Sequence, residues 1–365
     1  MSKNPANYQL VLNECRRQID SPYRALPVPP LPLVITGVTG VAGYGTLAYF
    51  QSRFPEKVFG VVQETDVDFP APNLIYSNLR DYEAMSGLFD RAGVRAILDC
   101  AGNCALKACQ LDRRIAWDLN VEIVRNLARY SRERSIRLVH LSVDMVFKGR
   151  PRGAYQDGEP TCPANVYGES MVEGERAVAE LDPYAATLRI SMPMGISYNW
   201  HAGAIDWIAA RFRPNRPATL YYNEVRTPTY VDEMARVFRE FLCNDFSGVV
   251  NCGGARQVSL YQMAQIINRT GGFAPELLYG MRIEESCPVP PRVRNCSLDS
   301  SKLAEILGYS PFTPWPGDRN HLPDSRRWHY NRRPNEPGST PYMNRVLCFS
   351  PTLYAKGVDY LADLF

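Results

Sequence analysis

The chain predicts an α/β protein: a parallel sheet covered by helices on both faces, followed by a smaller C-terminal lobe. Three observations carry that prediction. Short apolar runs alternate with amphipathic stretches of helical length between residues 33 and 191. A glycine-rich turn, TGVTGVAG, joins the first apolar run to the first amphipathic stretch. The length of 365 residues, 45% of them hydrophobic, is enough for a sizeable buried core.

In chain order, residues 1–30 read as an extension. Within it YQLVLNECRRQI has the spacing of a short amphipathic helix. PVPPLP at 27–32 ends that helix, because proline lacks the N–H and biases its predecessor toward extended backbone. LVIT (33–36) reads as a buried strand, 43–53 as a helix and KVFGVVQ (57–63) as the second strand. NLRDYEAMSGLFDRAG is helical, and RAILDCAG is a strand running into a loop. RRIAWDLNVEIVRNLARYSRER is a long helix, IRLVHLSVDMVF a strand, 166–180 a helix and YAATLRIS (184–191) a strand.

Beyond residue 192 the rhythm loosens. Helices are expected at 201–213, after the proline of TPTYVDEMARVFREFL, in SLYQMAQIINRTGG with its capping serine, and in DSSKLAEILGY; GVVNCGG is strand-like. Residues 311–365 read as an irregular tail with a terminal helix, anchored by Trp315, Trp328, Tyr330 and Tyr342. The organisation is therefore an extension (1–30), a first region (31–191), a mixed lobe that can recross to it (192–310) and the tail (311–365).

Composition excludes some functions. With 41 basic and 38 acidic residues the net charge is +3, which gives no reason to expect a nucleic-acid binder. Ten cysteines occur without a paired framework, and Cys100, Cys104 and Cys109 lack metal-ligand spacing; the four histidines are scattered, so no metal is expected. No apolar run is long enough to cross a membrane and the N-terminus does not resemble a signal sequence, so a cytoplasmic location is expected.

In TGVTGVAG, Gly37 lets the chain turn off the strand, Gly40 lets a pyrophosphate approach the backbone, and Gly43 lets the helix pack on the sheet. Between a strand and a helix this spacing predicts a Rossmann-like dinucleotide site. Gln63 stands 20 residues after Gly43, with Glu64 next to it and Asp66 beyond. An acidic side chain there accepts from a ribose 2′-OH, which points to NAD; Arg53 and Lys57 keep NADP open.

Four stretches in order, TGVTGVAG, LDCAGNCALKACQLDRRIAWDLNV, VHLSVDMVFKG and PANVYGESMVEGERAV, resemble the extended short-chain dehydrogenase/reductase family. The likeness spans roughly residues 32–270 and is nearest to the dTDP-4-dehydrorhamnose reductase branch. It implies that Ala101 and Gly102 line the cofactor, that Asn120 orders the centre, and that Tyr167 exchanges the proton. Asp144, Phe147, Gly168, Gly174 and Glu175 match the family pattern.

Two positions depart from it. Val143 stands where the resemblance implies a threonine hydroxyl, and Met171 where it implies a lysine. Valine has no donor and methionine no charge, so both losses weaken the same step. Lys107 is a candidate for a relocated ammonium, with Lys148 a weaker one, and Asp99, Ser142 and Asp144 for proton transfer. Asn103, Met194, Asn199 and Arg226 are candidates for substrate contact, and Asn199 belongs to a polar-aromatic patch with Tyr198, Trp200 and His201. Thr229 and Asp232 read as helix caps. The resemblance implies an atypical NAD(P)-dependent oxidoreductase or epimerase acting on a nucleotide-linked or polar sugar, and pairing of two copies through helices 113–131 and 166–180. The alternative is a weakly active or inactive NAD(P)-binding regulatory or structural protein.

Overall fold

A computed structural model describes residues 6–63, 69–102, 105–198 and 203–353. Seven strands form one parallel sheet: β1 Leu33–Ile35, β2 Val58–Val62, β3 Leu74–Tyr76, β4 Ala96–Asp99, β5 Arg137–Val143, β6 Ala186–Ile190 and β7 Gly248–Cys252. Their order is β3-β2-β1-β4-β5-β6-β7, so the direction of winding reverses between β1 and β4. The central strands are apolar on both sides because helices cover both faces. β3 was not expected from the sequence; LIY is too short to show a period.

One face is covered by α2 (Val41–Arg53) and by the Val231–Cys243 helix, which share a core with β1, β4, β5, β6 and β7. The other is covered by α3 (Tyr82–Ala92) and the Ile123–Arg134 helix. α3 is bounded as its sequence dictates: Asp81 accepts from the Ala84 amide, and Gly93 ends it in the left-handed region. The long helix expected at 113–134 is continuous but widens to a π turn at Asp118–Glu122. The Leu260–Thr270 helix begins with a capping box between Ser259 and Gln262.

A separate cluster forms the lobe. It joins the Ala204–Phe212 and Leu260–Thr270 helices, the ladder of Ala218–Tyr221 with Leu278–Met281, and the tail through Trp315, Trp328 and the Thr340–Cys348 helix. Trp315 is fully buried and its Nε1 donates to Leu347 O at 2.9 Å. Tyr330 departs from the expected anchoring: it is 43% exposed.

The N-terminal extension and the tail meet on the Val231–Cys243 helix. Helix α1 (Ala6–Arg17) packs on α2, and Arg53 at the end of α2 donates to Asp20 at 2.8 Å and to the Gln18 carbonyl at 2.7 Å. Asp232 lies inside the first turn, after the N-cap Tyr230, and its Oδ1 accepts from the Glu233 amide at 3.0 Å. Its other oxygen accepts from Gln18 Nε2 and from the Ser350 amide, both at 3.1 Å. Thr229 is no cap; its hydroxyl meets the Met234 sulfur at 2.9 Å. Glu233 accepts from the hydroxyls of Thr313, Ser350 and Thr352.

Burial and then the Asp232 charge push the Glu233 carboxyl up to about 7. A raised acid pKa means that the folded state holds the proton more tightly than the unfolded chain. The associated stability is complete below about pH 4.3, the free glutamate value, and is lost as pH rises through 7. Denaturant midpoints measured from pH 4.5 to 8 should therefore contain a falling component that Glu233→Gln removes; an unchanged slope in that variant rejects the assignment.

Candidate functional site

The turn between β1 and α2 stands where the strand order reverses, the place at which such sheets open a crevice beyond their carboxyl ends. Gly37 has φ +62°, and a Cβ there would lie 2.0 Å from the Cys100 carbonyl oxygen. A Cβ on Gly43 would lie 2.3 Å from the Gly37 carbonyl oxygen. Both glycines are thus required by the packing of turn, loop and helix. Gly40 differs. It precedes α2 with φ −79°, and a Cβ there meets only Gly37 O, at 3.4 Å. Gly37, Thr39 and Gly40 remain half-buried, so this edge is accessible. An open glycine before a helix N-terminus fits a phosphate, which can approach amides there without displacing a side chain.

Beneath the turn, Asp99 is fully buried. It accepts from Thr36 Oγ1 at 2.5 Å and from the Ala101 amide at 3.0 Å, and its other oxygen lies 2.7 Å from His140 Nδ1. Both oxygens thus tie the ends of β1, β4 and β5 together. Gly102 follows with φ +150°, where a Cβ would lie 3.2 Å from Asn120 Oδ1. Asn120 sits in the π turn, and its Nδ2 donates to Ser170 Oγ at 2.9 Å. Its carbonyl oxygen would be 2.6 Å from a Cβ on Gly174, so the π turn abuts the helix Val166–Leu181.

That helix carries Tyr167. Asn165 caps it by accepting from the Gly168 amide at 3.0 Å, and Gly168 is required because a Cβ there would lie 2.4 Å from the Met145 carbonyl oxygen. Tyr167 is 6% exposed and Met171, one turn on, 3%. Both belong to an apolar cluster with Cys109, Val146, Phe147 and Val172, against which Val143 packs. The two positions where a hydroxyl and an ammonium were expected therefore lie beside Tyr167 and are apolar.

The suggested replacements do not assemble there. Lys107 is exposed on the short helix Leu106–Leu111, whose buried residue is Cys109, and it makes no hydrogen bond or ion pair among the described residues. Lys148 is exposed as well. Ser142 points away from Val143, as strand alternation requires, and donates to Glu175 at 2.5 Å. Glu175 in turn binds Arg189 through two bonds of 2.8 and 2.7 Å. Asp144 accepts from Ser191 Oγ at 2.5 Å and lies 3.3 Å from Arg226 Nε. Burial, only partly offset by Arg226, raises the Asp144 carboxyl. Ser142 and Asp144 are thus held in buried networks.

Arg226 belongs to the same buried charge network. It is 2% exposed and pairs with both Asp144 and Glu224, the latter at 3.1 Å; Arg292 meets the same Glu224 at 3.0 Å. Its donors are engaged inside the protein. Burial opposes its charge, but Cys296, Asp144 and Glu224 outweigh that and raise its pKa. Met194 lies in a two-residue parallel ladder with Thr229–Tyr230 and is fully buried in the lobe core. Met192, just before it, has φ +40°, an uncommon backbone for a side chain of its kind at the carboxyl end of β6.

Glu64, Asn103 and Asn199, with Asp66, Trp200 and His201, lie outside the described residues. Arg53 holds the N-terminal extension, and Lys57 precedes β2 at the amino edge of the sheet, opposite the glycine turn. The sequence reading missed a ring cluster of Tyr8, Tyr44, Phe69 and Tyr198 beside the first turn of α2. Its one signal was Tyr8 on the apolar face of the extension. A groove of about 670 Å³ lined by Trp207, Arg211 and Tyr279 lies on the lobe, and none of its lining residues belongs to the turn or to the Tyr167 cluster. Among the described residues no helix is long and apolar enough to cross a membrane, and no group of three or more His, Cys, Asp or Glu could hold a metal ion.

Comparison with known proteins agrees with this geometry. A family model described as the RmlD substrate binding domain matches residues 33–322. The chain is 25% identical over 279 residues to a probable low-salt glycan biosynthesis reductase, Agl14, of Haloferax volcanii, covering 76% of this chain and 92% of that one. It is 28% identical over 296 residues to methionine adenosyltransferase 2 subunit beta of Pongo abelii, covering 79% and 86%. In fold it is similar to dTDP-4-dehydrorhamnose reductase of Bacillus anthracis solved with NADP (TM-score 0.64, 20% identity, 78% and 95% covered). It is also similar to the dTDP-glucose 4,6-dehydratase DesIV of Streptomyces venezuelae, a double mutant solved with NAD and DAU (TM-score 0.68, 17% identity, 82% and 97% covered).

Proposed function

Because the chain belongs to the family described as the RmlD substrate binding domain, we propose that it binds NAD(H), or less favourably NADP(H), and is an atypical oxidoreductase or epimerase-like protein for a nucleotide-linked or otherwise polar sugar. The observation that carries the reading is the open edge at Gly40, between two glycines that packing requires. In this reading residues 31–191 hold the dinucleotide and 192–310 the sugar. Gly37, Gly40 and Gly43 form the phosphate cradle, Ala101 and Gly102 line it, and Asn120 orders the loop after β4. Glu64 supports NAD over NADP. Asn103 and Asn199 remain the substrate contacts we propose. A bound nicotinamide supplies or accepts hydride. Tyr167 holds the proton at its phenolic oxygen, and the cluster around Met171 and Val143 keeps water from that side.

Turnover in this reading is slow. Met171 carries no charge and cannot supply the ammonium that the resemblance places one turn after the tyrosine. A second reading follows from the same pair of residues: a dinucleotide-binding regulatory or structural protein with little or no activity. Val143 and Met171 favour it, and so does the likeness to relatives named as a subunit. A cytoplasmic location suits either reading. Pairing of two copies through the Ile123–Arg134 and Val166–Leu181 helices is part of the proposal. Their outer faces carry Arg125, Arg129, Arg176 and Glu180, so that contact would be salt-sensitive.

Calorimetric titration with NADH and NADPH tests both readings. NADH should bind more tightly than NADPH. No heat with either dinucleotide would sink both readings.

A further inference from the structure

Helix α1 meets the glycine-turn helix through a cluster of four aromatic rings. Tyr8 lies edge-on to Tyr44, with centroids 5.4 Å apart and planes at 73°, and against Phe69 at 5.9 Å. Tyr44 belongs to the first turn of α2, directly after Gly43. Phe69 comes from the connection after β2 and touches Tyr44 at 5.8 Å. Tyr198, from the connection after β6, touches Phe69 at 5.0 Å and Tyr44 at 6.4 Å. Tyr8 and Tyr44 are 1% exposed and Phe69 4%, while Tyr198 is half-buried. The cluster thus runs from the buried extension toward the surface.

The segments it joins share one property. The glycine turn and the connections after β2 and β6 all leave the carboxyl edge of the sheet, where this topology binds its ligand. A ring behind them limits how far they can separate. Tyr8 is itself firmly held: its hydroxyl donates to Gln51 Oε1 at 2.6 Å, and Gln51 Nε2 donates to the Val58 carbonyl at 3.2 Å and the Pro72 carbonyl at 2.7 Å. Cys15, Gln18 and Asp20, farther along the extension, are bound by Arg53. The ring therefore has a fixed support on α2.

We propose that Tyr8 is a positioning residue for the dinucleotide groove: by packing on Tyr44 and Phe69 it holds the connections after β2 and β6 at the spacing a bound NAD(H) needs. The N-terminal extension is then part of the nucleotide-binding machinery. This rests on the dinucleotide reading above. Rings that lose a well-packed partner lose part of their alignment, and binding must then re-order them, which lowers affinity.

The test compares NADH binding and dissociation in the full-length wild type, Tyr8→Ala, Tyr8→Phe and Gln51→Ala, all well below their melting temperatures. Tyr8→Phe keeps the ring and loses only the hydroxyl tie to Gln51, so its affinity should fall by less than that of Tyr8→Ala. Tyr8→Ala should bind about fivefold to tenfold more weakly, mainly through faster dissociation. Gln51→Ala loses the helix ties but not the rings; it should lower the melting temperature with a smaller effect on binding. If folded Tyr8→Ala binds NADH as the wild type does, the proposal is overturned and the dinucleotide reading stands. If affinity merely follows melting temperature across the four proteins, Tyr8 is structural and the proposal is overturned. If the wild type binds no dinucleotide, the functional reading fails first and takes the proposal with it.

Discussion

Met171→Lys combined with Val143→Thr should raise NADH-dependent reduction of a nucleotide-linked keto-sugar by two decades or more. The two replacements return an ammonium and a hydroxyl to the cluster that contains Tyr167. A well-placed donor to a developing oxyanion is worth about 3–4 kcal/mol, roughly two to three decades, and the two need not add. The change has a cost that can itself be measured. Met171 is 3% exposed among apolar side chains, and a lysine there loses hydration unless it finds a partner. The melting temperature of the variant should fall, and saturating NAD(H) should raise it by more than in the wild type if the new ammonium bonds the nucleotide and tightens its binding. Steady-state kinetics with thermal melts reads both effects. If the variant binds NADH but turns over no faster, the site no longer has the geometry of hydride transfer and the regulatory reading gains. If the wild type is already as fast, another group performs the missing chemistry.

Gly40→Ala and Gly43→Ala should separate binding from folding. A Cβ at Gly43 would sit 2.3 Å from a backbone oxygen, where no side chain can yield. Overpacking typically costs about 1–3 kcal/mol, and a clash with backbone belongs at or beyond the upper end, so Gly43→Ala should be poorly folded. At Gly40 the nearest atom would be 3.4 Å away and φ is already negative, so replacement should cost under about 1 kcal/mol. The new methyl would nonetheless occupy the edge a phosphate must reach. Loss of one charge-assisted amide bond, about 1.5–3 kcal/mol, corresponds to roughly 10–100-fold weaker NADH binding. Circular dichroism and calorimetry on the two variants decide the matter. Unimpaired NADH binding by Gly40→Ala would move the dinucleotide away from this turn.

The sheet was largely legible before any coordinates because periodicity and punctuation agree there. Apolar runs bounded by Gly93, Gly102 and the proline of 27–32 have few other ways to bury themselves. β3 escaped because three residues show no period, and the π turn because it leaves the apolar spacing of its helix nearly intact. The candidate site was legible only at its glycines and at Tyr167 with its helix cap. Asp99, Ser142, Asp144 and Arg226 all have residue types that do chemistry, and each is instead engaged in the interior. A residue type does not reveal its partner: Glu175 lies 33 residues from Ser142, and Glu224 sits 68 residues from Arg292.

By itself, the order of residues determined the parallel sheet, the glycine turn at Gly37, Gly40 and Gly43, and the apolar side chains at Val143 and Met171. These are local properties: backbone freedom, period and side-chain chemistry at one position. Only the tertiary structure decided that Lys107 stays outside, that Asp99 and Arg226 sit in buried networks, and that Gln18 of the extension and Ser350 of the tail meet at Asp232 beside the glycine-turn helix. Those outcomes depend on which distant groups share a desolvated space, where an unpaired charge is too costly to leave and each buried polar group must find its partner.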